Sequence, residues 1–343
     1  MSKAAVVILN YNGRKYLEQF LPGVLAHSPS WAEIIVADNA STDDSVDFLK
    51  KHFPQVRIIQ NAENGGFAKG YNDALSHVDA EYFVLLNSDI EVPENWLEPC
   101  IALLEQHPEA AACQPKIRAF HQKDEFEYAG AAGGFIDKWG FPFCRGRIFD
   151  TYEKDNGQYN DDCEVFWATG ACLVIRSSAW KAAEGFDADF FAHMEEIDLC
   201  WRLRNMGWKI LYSGQSHIYH VGGGTLNKLS PRKTFLNFRN NLILIAKNHA
   251  PGWFFIKIFL RLCIDGMAGI RFLFSGDAEH CIAVLKAHFS FYASLGVTLK
   301  KRKALKTRIS KWATGGVYNG SIVWDYFVGG KKKYSELDTT KFS

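Results

Sequence analysis

From Ala4 to His107 the chain switches repeatedly between two hydrophobic periods. Short apolar runs alternate with stretches whose apolar residues recur every three to four positions. Ala4–Leu9, Glu33–Ala37, Val56–Gln60 and Tyr82–Leu86 read as strands. Arg14–His27, Asp43–His52, Phe67–His77 and Glu94–His107 read as the helices between them. Strand–helix alternation of this kind predicts an α/β fold with a mostly parallel sheet covered on both faces. In such sheets ligands bind beyond the carboxyl ends of the strands. The segments to search are therefore 10–13, 38–44, 61–70 and 87–91.

The second half is less regular. Residues 118–163 are rich in glycine and aromatic residues and read as a long functional loop or hairpin insertion. Val165–Ile175 reads as one strand, Glu195–Met206 as a helix, and Lys209–Tyr212 and His217–Val221 as two short strands. The pattern suggests a boundary between residues 1–229 and a helical, basic region, 230–343. Pro231–Asn248 is helical there, and Trp253–Phe274 is very apolar. That stretch still carries Lys257, Arg261 and Asp265, four residues apart, which draw a polar stripe along one helical face. So many charges argue against a spanning helix. Between His280 and Trp324 there are eight Lys or Arg and no Asp or Glu. An apolar helix beside a basic cluster suits peripheral contact with an anionic membrane surface; it equally suits an appendage packed on the main domain.

Composition excludes some classes. Lys plus Arg (39) balances Asp plus Glu (38), which gives no electrostatic reason to expect nucleic acid as a partner. The eight cysteines form no C-x-x-C pair, so free thiols in a reducing compartment are expected. Met1-Ser2-Lys3 leads straight into a run too short for an export signal, so a cytoplasmic location is expected.

Chemistry-bearing residues gather at the predicted strand ends. Asp38 ends a strand, where its carboxylate could accept hydrogen bonds from a nucleobase or a ribose. Ser41–Asp44 read as a helix cap. The glycines of Asn64-Gly65-Gly66 would let backbone approach a phosphate or sugar closely. Neither G-x-G-x-x-G nor G-x-x-x-x-G-K-[ST] occurs there, against dehydrogenase and P-loop readings. Asn87-Ser88-Asp89 closes a buried strand with oxygen-bearing side chains, and Asp89 with Asn87 or Glu91 could hold a hard divalent cation. Glu195, Glu196 and Asp198 crowd a helix start, where one carboxylate could serve as a general base. His220 ends a short strand as a candidate metal or phosphate contact, and Arg239 could neutralise a diphosphate.

In their order these segments resemble the family 2 glycosyltransferases. They are Leu9-Asn10-Tyr11-Asn12-Gly13, Asp38-Asn39-Ala40-Ser41-Thr42-Asp43, Asn64 through Asn72, Asn87-Ser88-Asp89, Gly170-Ala171-Cys172, Gly185-Phe186-Asp187, Glu195 through Arg202, and His220. The bacterial subgroup that includes rhamnosyltransferases of cell-surface polysaccharide assembly is the most similar in look. The resemblance implies a GT-A fold, a nucleotide-sugar donor, a saccharide acceptor and a divalent cation (Mg²⁺ or Mn²⁺). It implies donor contacts at Asn10, Tyr11, Asp38 and Asn72, to which Arg239 adds a candidate diphosphate contact by its charge. Asp89 would be the metal-bound acid, with His220 beside it and Asn87 where the family's motif has an acid. Glu196 falls at the catalytic-base position, where the usual Glu-Asp pair is Glu195-Glu196. Joined to the apolar, basic tail, this suggests a lipid-linked acceptor and work at the inner face of a cell membrane. Two rivals remain: a non-catalytic glycan- or partner-binding member of the same fold, and a nucleotidyltransferase. The latter would want a glycine-rich basic loop after the first strand, which Asn10–Arg14 does not supply.

Overall fold

The computed structural model describes residues 2–222, 230–252, 254–309 and 312–343. Trp253, at the start of the apolar stretch, and residue 229, at the expected boundary, lie outside the described residues. The first half contains β1 (Ser2–Asn10), α1 (Arg14–His27), β2 (Ala32–Asp38), α2 (Ser45–His52), β3 (Arg57–Gln60), α3 (Gly66–Leu75), β4 (Ala80–Asn87), β5 (Ile90–Glu91) and α4 (Glu98–Gln106). There follow β6 (Ala110–Ala119), β7 (Gly134–Asp137), β8 (Pro142–Cys144), β9 (Arg147–Ile148), β10 (Thr151–Tyr152), β11 (Cys163–Val165) and β12 (Cys172–Arg176). Then come α5 (Ser177–Ala182), α6 (Glu195–Asn205), β13 (Lys209–His220), α7 (Pro231–Asn248), α8 (Phe254–Phe274), α9 (Ala278–Lys306), β14 (Val317–Tyr318) and α10 (Ile322–Phe327).

The main sheet runs in the order β11-β13-β6-β12-β4-β1-β2-β3, with β5 alongside β13. β1, β2, β3, β4, β6 and β13 point one way; β5, β11 and β12 oppose them. The mixed, mostly parallel α/β sheet expected from the sequence is thus present. β1 shows why. Its Ala5 and Val7 enter one apolar cluster while Ala4, Val6 and Ile8 enter another on the opposite face. A strand buried on both faces has to be apolar at successive positions, not at alternate ones.

Two segments depart from the expected elements. Val165–Ile175 is not one strand. The chain leaves the sheet after β11, and Thr169 N donates to Gln114 Oε1 while Ala171 N donates to Thr169 Oγ1. Those side-chain acceptors replace the ladder; β11 before the bend pairs with β13, and pairing with β4 begins only at β12. Conversely, 209–212 and 217–220 are one strand, β13, with a register shift between Ser213 and His217.

The irregular segment 118–163 builds a second sheet, β10-β9-β8-β7-β14, whose last strand comes from the far end of the chain. The region after residue 230 is helical through α9 and then returns to this sheet. There Asp137 Oδ2 accepts the Ile322 amide of α10. α7 packs against α6, α8 and α9.

Candidate active site

The parallel register brings four loops to one edge. Asn10 pairs with Asp38 across β1 and β2, and Leu9 with Asn87 across β1 and β4. Asn87 N donates to Ala171 O at 3.0 Å, which brings the bend before β12 to the same place. A Cβ on Gly170 would lie 3.7 Å from the Cβ of Glu196. The start of α6 therefore stands beside the end of β4. His220 and Ile90 are register partners, and Val221 N donates to Asp89 O, which joins the end of β13 to the same corner.

Asn10 and Asp38 form the floor of the first part. Both are buried; Asn10 Nδ2 donates to Asp38 Oδ1 at 3.2 Å, and Ser41 N donates to Asp38 Oδ2 at 3.0 Å. Asn10 Oδ1 is buried with no hydrogen-bond partner among the described residues. Tyr11, 38% exposed, is the accessible side chain above them. Ser41 and Thr42 do not cap α2. Ser41 Oγ accepts from Asn10 Nδ2 and Asn12 N, and Thr42 N donates to Asn12 Oδ1. Their hydroxyls tie two loops together, and α2 starts only at Ser45, whose N–H donates to Asp43.

The glycine loop differs from expectation. Gly66, at φ +80°, meets protein where the sequence suggested ligand: its missing Cβ would clash with Phe191. Phe191 O accepts the Phe67 and Ala68 amides, so the start of α3 is capped by backbone. Asn72 is similarly engaged. Its amide donates to Phe186 O at 2.8 Å and accepts from Phe186 N at 2.9 Å. Both hold the 185–194 turn against α3.

Asp89, His220 and Glu127 form a buried charge cluster. His220 Nε2 lies 3.2 Å from Asp89 Oδ1, and Nδ1 lies 3.0 Å from Glu127 Oε2. Burial alone would lower the imidazole pKa; Glu127 and Asp89 reverse this and raise it to about 10. Burial likewise raises Asp89, and the His220 charge more than offsets it, leaving the carboxyl below its ordinary value. Asn87 Nδ2 sits 3.4 Å from His220 Nε2. Glu91 is paired with Lys123. Among the described residues no group of three or more His, Cys, Asp or Glu is arranged to hold a metal ion by itself. Asp89 and His220 nevertheless fit a divalent cation as two N/O donors, the rest of its shell coming from water and diphosphate. A carboxylate on the second nitrogen, as Glu127 provides, is what orients a ligating imidazole.

The acids of α6 divide by role. Asp198 is buried and paired with Arg202, Lys247 and Asn248, which hold its pKa down against burial. Glu195 and Glu196 each keep one buried carboxylate oxygen without a hydrogen-bond partner among the described residues. Burial pushes Glu196 up to about 7. Burial, and then the neighbouring Glu196 charge, push Glu195 well above the usual range.

The loop leading into α6 is strained. Phe191, His193 and Met194 have φ of 63°, 68° and 72°. Such left-handed non-glycine residues persist only where surroundings impose them. α7 supplies the constraint. Arg239 donates to Asp189 O and Phe190 O; Asn240 Nδ2 lies 2.7–3.0 Å from the carbonyls of Phe190, Ala192 and His193. Arg239 thus stands one loop away from the acids, fastened to backbone. The sequence marks Asn240 only as a neighbour of Arg239, with no role of its own, and does not mark Glu127 at all. An asparagine inside a helix and an acid in an irregular segment carry no local signal.

Comparison with known proteins gives a consistent result. The model of the family described as glycosyl transferase family 2 matches residues 5–180. An N-acetylglucosaminyl-diphospho-decaprenol L-rhamnosyltransferase of Mycobacterium tuberculosis is 24% identical over 284 residues, 78% of this chain and 90% of the relative. The rhamnosyltransferase WbbL of Escherichia coli is 25% identical over 63% of this chain and 82% of its own length. Among solved structures, GalNAc-T7 with UDP, GalNAc and Mn²⁺ aligns with a TM-score of 0.55 at 16% identity. That alignment covers 72% of this chain and 48% of GalNAc-T7, so this chain spans about half of it. A mannosyltransferase of Pyrobaculum calidifontis in complex with GDP-Man and Mn²⁺ aligns with a TM-score of 0.50 at 15% identity, covering 88% and 86% of the two chains. These likenesses carry the GT-A fold.

Proposed function

The chain belongs to glycosyl transferase family 2, and on that premise we propose that it is an inverting glycosyltransferase. It moves a sugar from a nucleoside-diphosphate sugar to a hydroxyl of a saccharide acceptor. The rhamnosyltransferase relatives favour a deoxyhexose donor and a lipid-linked acceptor. The work then falls at the inner face of a bacterial membrane, in peripheral contact with it, during cell-surface polysaccharide synthesis.

One observation carries the reading: a half-buried carboxylate, Glu196, with an oxygen unpartnered among the described residues and a pKa of about 7, beside the edge where β1, β2 and β4 end. The acceptor hydroxyl gives its proton to Glu196 and attacks the anomeric carbon opposite the leaving group. The new carbon–oxygen bond forms as the bond to the diphosphate oxygen breaks, and that oxygen leaves with the electron pair. Asp38, Asn10 and Tyr11 hold the nucleoside, and His220 stands on the side from which the diphosphate departs. A divalent cation held by Asp89 and His220 would supply Lewis-acid stabilisation of the leaving group. In this scheme Asn72 and Arg239 shape the donor side through the backbone they hold.

The test pairs binding with turnover. Nucleoside diphosphates should raise the melting temperature of the wild type and of Glu196→Gln alike, more so with Mn²⁺. Turnover of the variant should fall about 10²–10⁴-fold. If Glu196→Gln turns over near-normally, the base assignment is wrong. If no nucleoside diphosphate is bound, the glycan-binding alternative gains.

A further inference from the structure

We propose that the outward face of the α8–α9 hairpin is a bilayer-docking surface, inserted into the interfacial region of an anionic membrane. The inference rests on the peripheral-membrane reading above and names the surface responsible.

The polarity of α8 is inverted. Its buried side runs through Phe254, Ile258, Arg261, Asp265 and Gly269, so the charged stripe legible in the sequence faces the protein. There Arg261 donates to Asp265 at 2.8 Å and also to Asn241 of α7, and its guanidinium lies 3.5 Å from the centre of the Phe141 ring. The opposite side carries Ile256, Leu260, Cys263, Met267, Ile270 and Phe274, spaced alternately by four and three residues, and all are exposed. A helix whose polar stripe faces its own protein and whose apolar stripe faces outward suits an apolar exterior. α9 continues the surface with exposed Leu285, Phe289 and Tyr292. Large exposed apolar side chains are rare elsewhere among the described residues. Apart from Tyr11 and Tyr152, all belong to α8, α9 or the α10 region. A contiguous apolar face of this extent on a protein surface marks an interaction site.

Charge selects the occupant. The exposed charges on the outer side of α8 and α9 are Arg271, Lys286, Lys300, Lys303 and Lys306; acids are confined to the turn, at Asp277 and Glu279. The basic run 300–303 splits by helical geometry. Lys301 and Arg302 turn inward to Asp187 and the Ala246 carbonyl, leaving Lys300 and Lys303 outward. Apolar residues bordered by one sign of charge match anionic headgroups over acyl chains. A second copy of the chain would instead bring like charges together. α9 is long and apolar enough to cross a membrane by composition. Yet it is buried at Ala283, Val284, Ala287, Phe291, Thr298 and Leu305, a stripe along most of its length, so it cannot be ringed by lipid. Its surface lies on the bilayer; it does not span it. Trp324, Phe327 and Val328 extend the patch, joined to α8 where Arg271 stacks on Phe327 at 5.0 Å.

The full chain is tested by flotation with vesicles of phosphatidylcholine alone or mixed with phosphatidylglycerol. Wild type should float with the mixed vesicles, and added salt should weaken it. Leu260→Ser with Met267→Ser and Ile270→Ser should cut partitioning at least about 100-fold. Arg271→Gln and Lys286→Gln should each cut it about fivefold, on anionic vesicles only. Hydrolysis of the nucleotide-sugar donor and thermal unfolding, read in the same preparations, should stay at wild-type values. Should the triple variant fold poorly, Phe289→Ser, at a side chain 74% exposed, replaces it and should also reduce flotation. Wild type that floats while these variants float equally overturns this surface and leaves the peripheral reading standing. Wild type that never floats overturns both, and a self-association abolished by the triple variant assigns the face to a second copy. None of these outcomes bears on donor chemistry, which the hydrolysis assay reads separately.

Discussion

A general base on a sugar hydroxyl must be ionised before the reaction and basic enough to take the proton during it. Burial gives Glu196 a pKa of about 7, close to working pH, which satisfies both demands. Turnover should therefore rise with pH and level off above about 7, and Glu196→Gln should lose that rise with its activity. Stability should run the other way. The folded pKa lies above the ordinary glutamate value of 4.5, so the contribution is complete below that value and is lost as pH rises through about 7. Glu196→Gln, neutral throughout, should gain melting temperature relative to wild type between pH 5 and pH 8. If the two melting curves stay parallel over that window, Glu196 does not titrate there. Glu127 makes a second case at this scale. Glu127→Gln keeps the shape but removes the charge that orients His220 at 3.0 Å. Nucleotide binding should then need about 10–100-fold more Mn²⁺, measured by titration. Glu196 was legible because acids at a helix start have a local pattern. Glu127 was not, because its relation to His220 exists only after folding.

At the scale of elements, the α6 acids are only as well placed as the loop before them. Three left-handed residues in that loop cost about 1–3 kcal/mol each, and Asn240 offsets this by donating to the loop's carbonyls. Asn240→Asp is nearly isosteric but replaces the amide donor with a repelling carboxylate. It should lower turnover more than Asn240→Ala does, and Asn240→Ala itself by about 10–100-fold, as sub-ångström placement of a base would require. Nucleotide affinity should hold in both, because Asn10, Tyr11 and Asp38 lie on other loops. An Asp variant as active as wild type would show the contact to be filler. Sequence pattern foresaw the helices α1, α6 and α7 and the polar stripe of α8. It could not say which way that stripe faces, because periodicity defines a face and only tertiary packing chooses its partner. Nor could it tell a glycine that admits a phosphate from Gly66, which admits the Phe191 backbone.

At the scale of the molecule, the alternating first half was legible because each strand and helix carries its own period. The second sheet was not: β7 and β14 pair across some 180 residues of chain, and neither has a pattern that names the other. A buried charge cluster joins α6 and the turn before it to the C-terminal helices, beside the apolar cluster that runs through both. Lys247 of α7 is 4% exposed and bonds Asp187 at 2.7 Å and Asp198 at 2.9 Å, while Lys301 of α9 also reaches Asp187. Burial would raise both carboxyls; the lysines, and for Asp198 also Arg202, more than offset it, so both lie below their ordinary values. Their contribution is complete above the unfolded carboxyl pKa and is lost as pH falls through the lower folded values. Lys247→Met keeps most of the volume and removes the charge shared by two buried carboxylates, leaving Asp187 to Lys301 and Asp198 to Arg202 and Asn248, a loss of about 1.5–3 kcal/mol at neutral pH in urea unfolding. Lowering the pH should narrow the gap between variant and wild type, since protonation removes the charges that the lysine had balanced. A gap that stays constant with pH would mean that Lys247 matters here as a packing stem and not as a charge.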